Sequence, residues 1–199
     1  MKALLLALLV TGAIIARGDD TATNLLKNGD FSGGLNHWEG DCQAIDNSSF
    51  DPSETAPTAG VIVKLQGSSW TKVSQDFDAK IGEYIVSITY GLSSDLKFSD
   101  SVEDYNNISG KLGFNGLKPF GAPPGRWIVL INDWAAGHST FARISPKLGL
   151  NGPQTVTVPI HIDSDAETKG FFLLFPPSTG FINLLNVSLT PVSSGNANP

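Results

Sequence analysis

The sequence predicts an all-β fold, an antiparallel two-sheet β-sandwich of jelly-roll type, and three observations carry that expectation. Short apolar runs of period two recur along the 199 residues, separated by turns that hold glycine or proline. Glycine (21) and proline (12) are plentiful while charged residues reach only 16%, which favours short strands over long surface helices. The first and last apolar runs are placed to lie side by side, as the closure of two packed layers requires.

Residues 1 to 18 stand apart. Lys2 gives a positive start, residues 3 to 16 are apolar apart from Thr11 and Gly12, and Ala16 and Gly18 are small residues where a signal peptidase reads. The run is shorter than the about 20 apolar residues of a membrane span, so a cleaved secretory signal is expected. Without it the chain keeps 11 basic and 19 acidic side chains, a net charge of −8. Such a surface repels phosphate backbones and anionic lipid, so neither nucleic acid nor a membrane is an expected partner. Cys42 is the single cysteine, which excludes an internal disulfide and reads as a partly buried thiol.

The elements follow in order. Residues 24 to 38 read as a short strand ending in an Asn28-Gly29-Asp30 turn, with Gly29 expected to supply the positive φ. Residues 39 to 58 form a long loop with one short strand near 42 to 45. Residues 59 to 66 put Val61, Val63 and Leu65 on one face. Residues 70 to 77 do the same with Val73, Gln75 and Phe77, and the two runs are expected to pair as a hairpin across Gly67. Residues 82 to 91 give the clearest alternation, with Tyr84, Val86, Ile88 and Tyr90 inward. Residues 92 to 125 lose the period and read as an insertion, with one helical turn at 99 to 105. Strands return at 126 to 133 (Trp127, Val129 and Ile131 on one face) and at 139 to 144. In the strand at 154 to 163, Val156, Val158, Ile160 and Ile162 point inward, and Pro159 marks an edge or a bulge. Strands at 170 to 175 and 181 to 190 close the chain. The expected organisation is a signal over 1–18, one sandwich over 24–191 with an insertion at 92–125, and a polar tail over 192–199.

Three short motifs recur in a meaningful order: the Asn28-Gly29-Asp30-Phe31 turn with Trp38 behind it, the run Trp70…Val73…Gln75-Asp76-Phe77…Gly82-Glu83-Tyr84, and the closing Phe181-Ile182-Asn183-Leu184-Leu185-Asn186-Val187-Ser188-Leu189. Together they resemble carbohydrate-binding modules of the CenC type, within the galactose-binding-like jelly rolls. The resemblance spans roughly residues 24 to 90 and 154 to 190. It implies a secreted protein that binds a polysaccharide or oligosaccharide. It also implies a structural calcium held by the opening turn and the last strand. This chain departs from that pattern, because Ser32 stands where a Glu would be and Leu185 where an Asp would be. No cofactor is therefore expected, and calcium is the alternative, with Asn28, Asp30 and Asn186 as the remaining oxygen donors.

No catalytic signature appears: there is no His-Glu-x-x-His, no Gly-x-Ser-x-Gly, no phosphate-cradling loop and no cysteine pair. His37, His138 and His161 lack ligand spacing and read as surface or loop residues. The carboxylates between 163 and 167 read as a solvated turn. Sugar recognition needs an aromatic face for the pyranose C–H groups and side-chain amides or carboxylates for its hydroxyls. Tyr84, Tyr90 and Trp127 fall in phase with Val and Ile and belong to the core. Trp134 lies outside any apolar period, so it is the first candidate platform, with Asn132, Asp133 and His138 as polar companions. Trp70 and Gln75 come second. Against a non-catalytic binding protein stand two alternatives: a polysaccharide-active enzyme that brings Asp100, Glu103 or Asp104 to a cleft, and an adhesive protein without a sugar site. Asn47, Asn107 and Asn186 head sequons for a glycosylating host.

Overall fold

Alternation of apolar residues along strands that have two covered faces explains most of the architecture. The computed structural model describes residues 23–44, 60–66, 69–98, 126–133, 137–147, 152–165 and 168–192, and among these it is built of strands and turns. The strands are β1 (Glu39–Gly40), β2 (Cys42–Ala44), β3 (Val61–Lys64), β4 (Thr71–Asp78), β5 (Gly82–Leu92), β6 (Lys97–Phe98), β7 (Trp127–Asp133), β8 (His138–Ile144), β9 (Gln154–Ile162), β10 (Thr168–Phe175), β11 (Ser178–Thr179) and β12 (Phe181–Pro191).

Two antiparallel five-stranded sheets form the sandwich, ordered β1-β4-β10-β7-β8 and β2-β3-β12-β5-β9; a small ribbon joins β6 and β11. The expected all-β jelly-roll sandwich is what the chain adopts. Between the sheets lie Val61, Val63, Val86, Ile88, Val129, Phe171, Leu173, Leu184, Val187 and Leu189, none more than 2% exposed. Tyr84, Tyr90 and Trp127 belong to this core, as their phase demanded. Tyr90 and Phe175 meet the Trp127 ring edge-on at 4.7 and 5.1 Å between centroids, the tilted geometry that aromatic quadrupoles favour. Pro159 sits on β9, an edge strand of its sheet whose pairing with β5 continues without a register shift. Its missing N–H therefore faces the open edge.

Three expectations need correction. The opening stretch is a chain of turns rather than a strand. It lies beside the last strand through a few bonds: Leu25 N–H donates to Leu189 O (2.9 Å) and Val187 N–H to Gly29 O (2.7 Å), while Asn24 bonds both Val187 and Leu189 through its side chain. The positive φ of its turn falls on Asn28 (50°), not Gly29. Gly29 is required for another reason: a Cβ there would stand 2.1 Å from Val187 O. Finally, the runs at 59–66 and 70–77 do not pair. β3 bonds β2 and β12 in one sheet, β4 bonds β1 and β10 in the other, and the chain crosses between layers. The expected helical turn at 99–105 lies outside the described residues.

Candidate functional site

β10 and β7 are buried on both sides, and their alternate residues fall into two separate clusters. Trp127, Val129, Ile131, Phe171, Leu173 and Phe175 point into the sandwich. Ile128, Leu130, Phe172 and Leu174 point the other way and form a second apolar cluster on the outward face of their sheet, with half-buried Trp70 and Phe141 packed against them. These four side chains are at most 6% exposed, so the outward face is covered at its centre, as strands apolar on both sides require.

Strand register lays this face out as rows. One row is Lys72, Leu174, Ile128 and Arg143; the next is Ser74, Phe172, Leu130 and Phe141; a third is Asp76, Gly170, Asn132 and Ser139. At about 4.8 Å between strands and about 7 Å between rows, the array covers roughly 14 Å in each direction. The Lys72 ammonium stands 5.7 Å from the centre of the Phe172 ring, and the Arg143 guanidinium the same distance from Phe141, both within cation–π reach. In the third row Ser139 Oγ donates to Asn132 Oδ1 at 2.7 Å, and Gly170 leaves the strand between Asp76 and Asn132 without a side chain. The middle of this array is buried (Ser74, Ile128, Leu130, Asn132, Gly170, Phe172 and Leu174), while Lys72, Asp76, Ser139, Phe141 and Arg143 at its margins keep some exposure.

The residues singled out from the sequence distribute as follows. Asn132 lies on this outward face, and Trp70 lies beyond the first row at its other end. Asp133, one residue on, points inward; it is 4% exposed, accepts a hydrogen bond from Ser164 Oγ and stands across the strand pair from buried Lys169. Asn132 and Asp133 therefore do not share a face. His138 begins β8 at the register position opposite Asp133. Trp134 lies outside the described residues; on either side of it, Gly137 N–H donates to Asp133 O at 3.0 Å. Gln75 is buried and faces inward. Its Oε1 accepts from Lys27 N–H (3.0 Å) and its Nε2 donates to Lys27 O (3.3 Å), so it anchors the opening turns to β4. Asp100, Glu103 and Asp104 lie outside the described residues. Lys72, Asp76, Ser139, Phe141 and Arg143, which join Asn132 on this face, were not singled out because nothing in a single strand says which outward faces share a sheet.

The oxygens named for calcium are largely committed. Asn28 Oδ1 accepts from Gly33 N–H at 2.8 Å, and Asp30 Oδ1 accepts from Ser32 N–H and Ser32 Oγ at 3.2 and 3.0 Å. Those bonds from Ser32 hold the Asp30 carboxyl below the usual carboxylate range. Asn186 is exposed on the outward face of the other sheet, beside Thr89. Among the described residues no three His, Cys, Asp or Glu side chains gather around a common point. A cation that takes six to eight oxygens does not fit this donor set.

No protein-family profile and no curated protein sequence matches the chain. Its fold does match solved structures. One is TmCBM61 in complex with β-1,4-galactotriose, at 13% identity and a TM-score of 0.52, covering 86% of this chain and all of that one. Another is an arabinose-bound MgGH51 α-L-arabinofuranosidase, at 16% identity and a TM-score of 0.54, covering 87% of this chain and 27% of that one. A third is the enzymatically active domain of bacteriophage CBA120 tailspike protein 4, at 9% identity and a TM-score of 0.51, covering 85% and 21%. The chain shares the jelly-roll sandwich of these structures.

Proposed function

We propose that this is a secreted, non-catalytic carbohydrate-binding protein that takes a neutral or weakly charged polysaccharide on the outward face of the β1-β4-β10-β7-β8 sheet. The observation that carries the reading lies at the margins of that face, where half-buried Trp70 and Phe141 stand beside Lys72, Arg143, Ser139 and exposed Asp76. Rings offer a flat partner to pyranose C–H groups, and the polar row offers donors and acceptors to the hydroxyls at the rim. Trp134, next to the end of β7, is the proposed further platform, with His138 beside it. The jelly roll held by TmCBM61 with galactotriose supports the choice of an oligosaccharide. The order of the Asn28-Gly29-Asp30-Phe31, Gln75 and closing-strand motifs supports membership of the CenC type.

Affinity electrophoresis through gels that contain β-1,4-galactan, xylan, mannan or β-glucan tests this, with released reducing ends measured in parallel. Expected is retardation in at least one gel, no new reducing ends, and loss of retardation in Trp70→Ala, Asn132→Ala and Trp134→Ala variants whose circular dichroism is unchanged. Release of reducing ends favours the enzymatic alternative, and free migration in every gel overturns the proposal.

A further inference from the structure

The opening turns hold a lock built around one amide. Asn28 Nδ2 donates to Gly34 O at 2.9 Å and to Asn36 O at 3.0 Å, while its Oδ1 accepts from Gly33 N–H. Its own carbonyl accepts from Phe31 N–H (3.1 Å) and from the Trp38 indole N–H (3.0 Å). Every polar group of residue 28 beyond its N–H is thus spent on the loop from 31 to 38. The orientation of the amide is set by its partners, since two carbonyls must meet the NH2 and an N–H must meet the oxygen.

The loop that this amide gathers is not a relaxed one. Asn28, Phe31 and His37 have φ of 50°, 56° and 70°, in a region that costs side chains other than Asn and Asp strain, and a bulky aromatic most of all. The strain at Phe31 serves packing: its ring and that of Trp38 are buried, 5.2 Å apart, and Trp38 meets Phe171 of β10 edge-on at 6.3 Å. The carbonyls of Gly34 and Asn36 converge on one point and would supply two of the six to eight oxygens a calcium ion takes, and a nitrogen that donates sits there instead.

We infer that the Asn28 amide occupies the place of a cation in this loop, so that the clamp across the sandwich end closes without metal, and that a carboxylate at position 28 would turn the same carbonyls into a calcium site. Asp tolerates the left-handed conformation as Asn does, so Asn28→Asp changes the donor and leaves the backbone preference in place. It sets an oxygen against two carbonyl oxygens, a repulsion that only a bound cation relieves.

Thermal unfolding of the full chain, followed by circular dichroism and Trp fluorescence, tests this in EDTA and in excess calcium. Expected is the same Tm for the unaltered protein in both, a fall of about 5 °C for Asn28→Asp in EDTA, and recovery of most of that fall in calcium. Asn28→Gly, which keeps the φ and removes the amide, should fall in both conditions alike. A calcium-dependent Tm in the unaltered protein overturns the inference, as does an Asn28→Asp variant that is insensitive to calcium. Should Asn28→Asp fail to fold, the unaltered protein and Asn28→Gly still decide, because a chelator-sensitive parent or an undiminished glycine variant contradicts an amide lock.

Discussion

A single hydrogen atom decides the fate of residue 29. Val187 N–H reaches Gly29 O at 2.7 Å because no side chain intervenes, and a methyl group would meet Val187 O at 2.1 Å. Gly29→Ala should therefore cost about 3 kcal/mol, the upper end of overpacking penalties, and lower Tm by roughly 6–12 °C, measured by thermal denaturation. Position 29 was legible as a required glycine, but for the wrong reason: a turn suggests positive φ, and close approach between chain segments leaves no local signature. Cys42 gives a residue-scale prediction in pH. Burial raises its thiol above the ordinary value, with Asp41 adding to the rise. Because the folded state holds that proton more tightly than the unfolded one, the contribution of Cys42 to stability is intact below the ordinary thiol pKa and is lost as pH rises beyond it through the raised value of the folded state. Alkylation of Cys42 in native buffer should be slower than in denaturant at every pH below the ordinary thiol range, and equal rates would contradict the raised value.

Among the elements, the strands whose faces alternate cleanly were legible, and their partners were not. The period-two pattern of β5 gives its inward set, Tyr84, Val86, Ile88 and Tyr90, because one side of it must be dry. The same pattern in β3 and β4 says which side is wet or dry without saying which layer each strand joins, so a hairpin was expected where the chain crosses between sheets. In β7 both sides are buried, and the second apolar side, Ile128 and Leu130, is what reveals the outward cluster. Two predictions belong here. Gln75→Leu removes both bonds to the Lys27 backbone and should cost about 2 kcal/mol, or roughly 4–8 °C in Tm, with little change in far-ultraviolet circular dichroism. Pro159→Val restores an N–H on the open edge of β9 and should increase self-association in light scattering, since proline on an edge strand blocks pairing with a second chain.

For the whole molecule, the sandwich separates two duties. The core between the sheets, joined by the turns around Asn28 that lie against β12 and β4, holds the layers together. The opposite side of the β1-β4-β10-β7-β8 sheet carries a second, buried apolar cluster, and the half-buried rings and polar groups at its margins are the proposed glycan contacts. Of the residues singled out from the sequence, Asn132 lies on that face and Trp70 packs at its end, whereas Asp133 points inward and Gln75 is buried. Lys72, Asp76, Ser139 and Phe141 join that face only through registers that span up to 102 residues of sequence (Lys72 to Leu174), and no local pattern encodes those. The outward side of the other sheet offers an internal control: Thr89 and Thr155 share a hydrogen bond at 2.9 Å there, and Ser87, Thr157 and Ser188 extend a polar surface. The most direct measurement is a 1H–15N titration of the labelled protein with the oligosaccharide of whichever polysaccharide retards it. Saturable shifts gathered at Lys72, Asp76, Asn132, Ser139 and Gly170, with Ser87, Thr89 and Thr157 unmoved, are the predicted result. Shifts confined to the Ser/Thr side, or none with any glycan, would contradict the account.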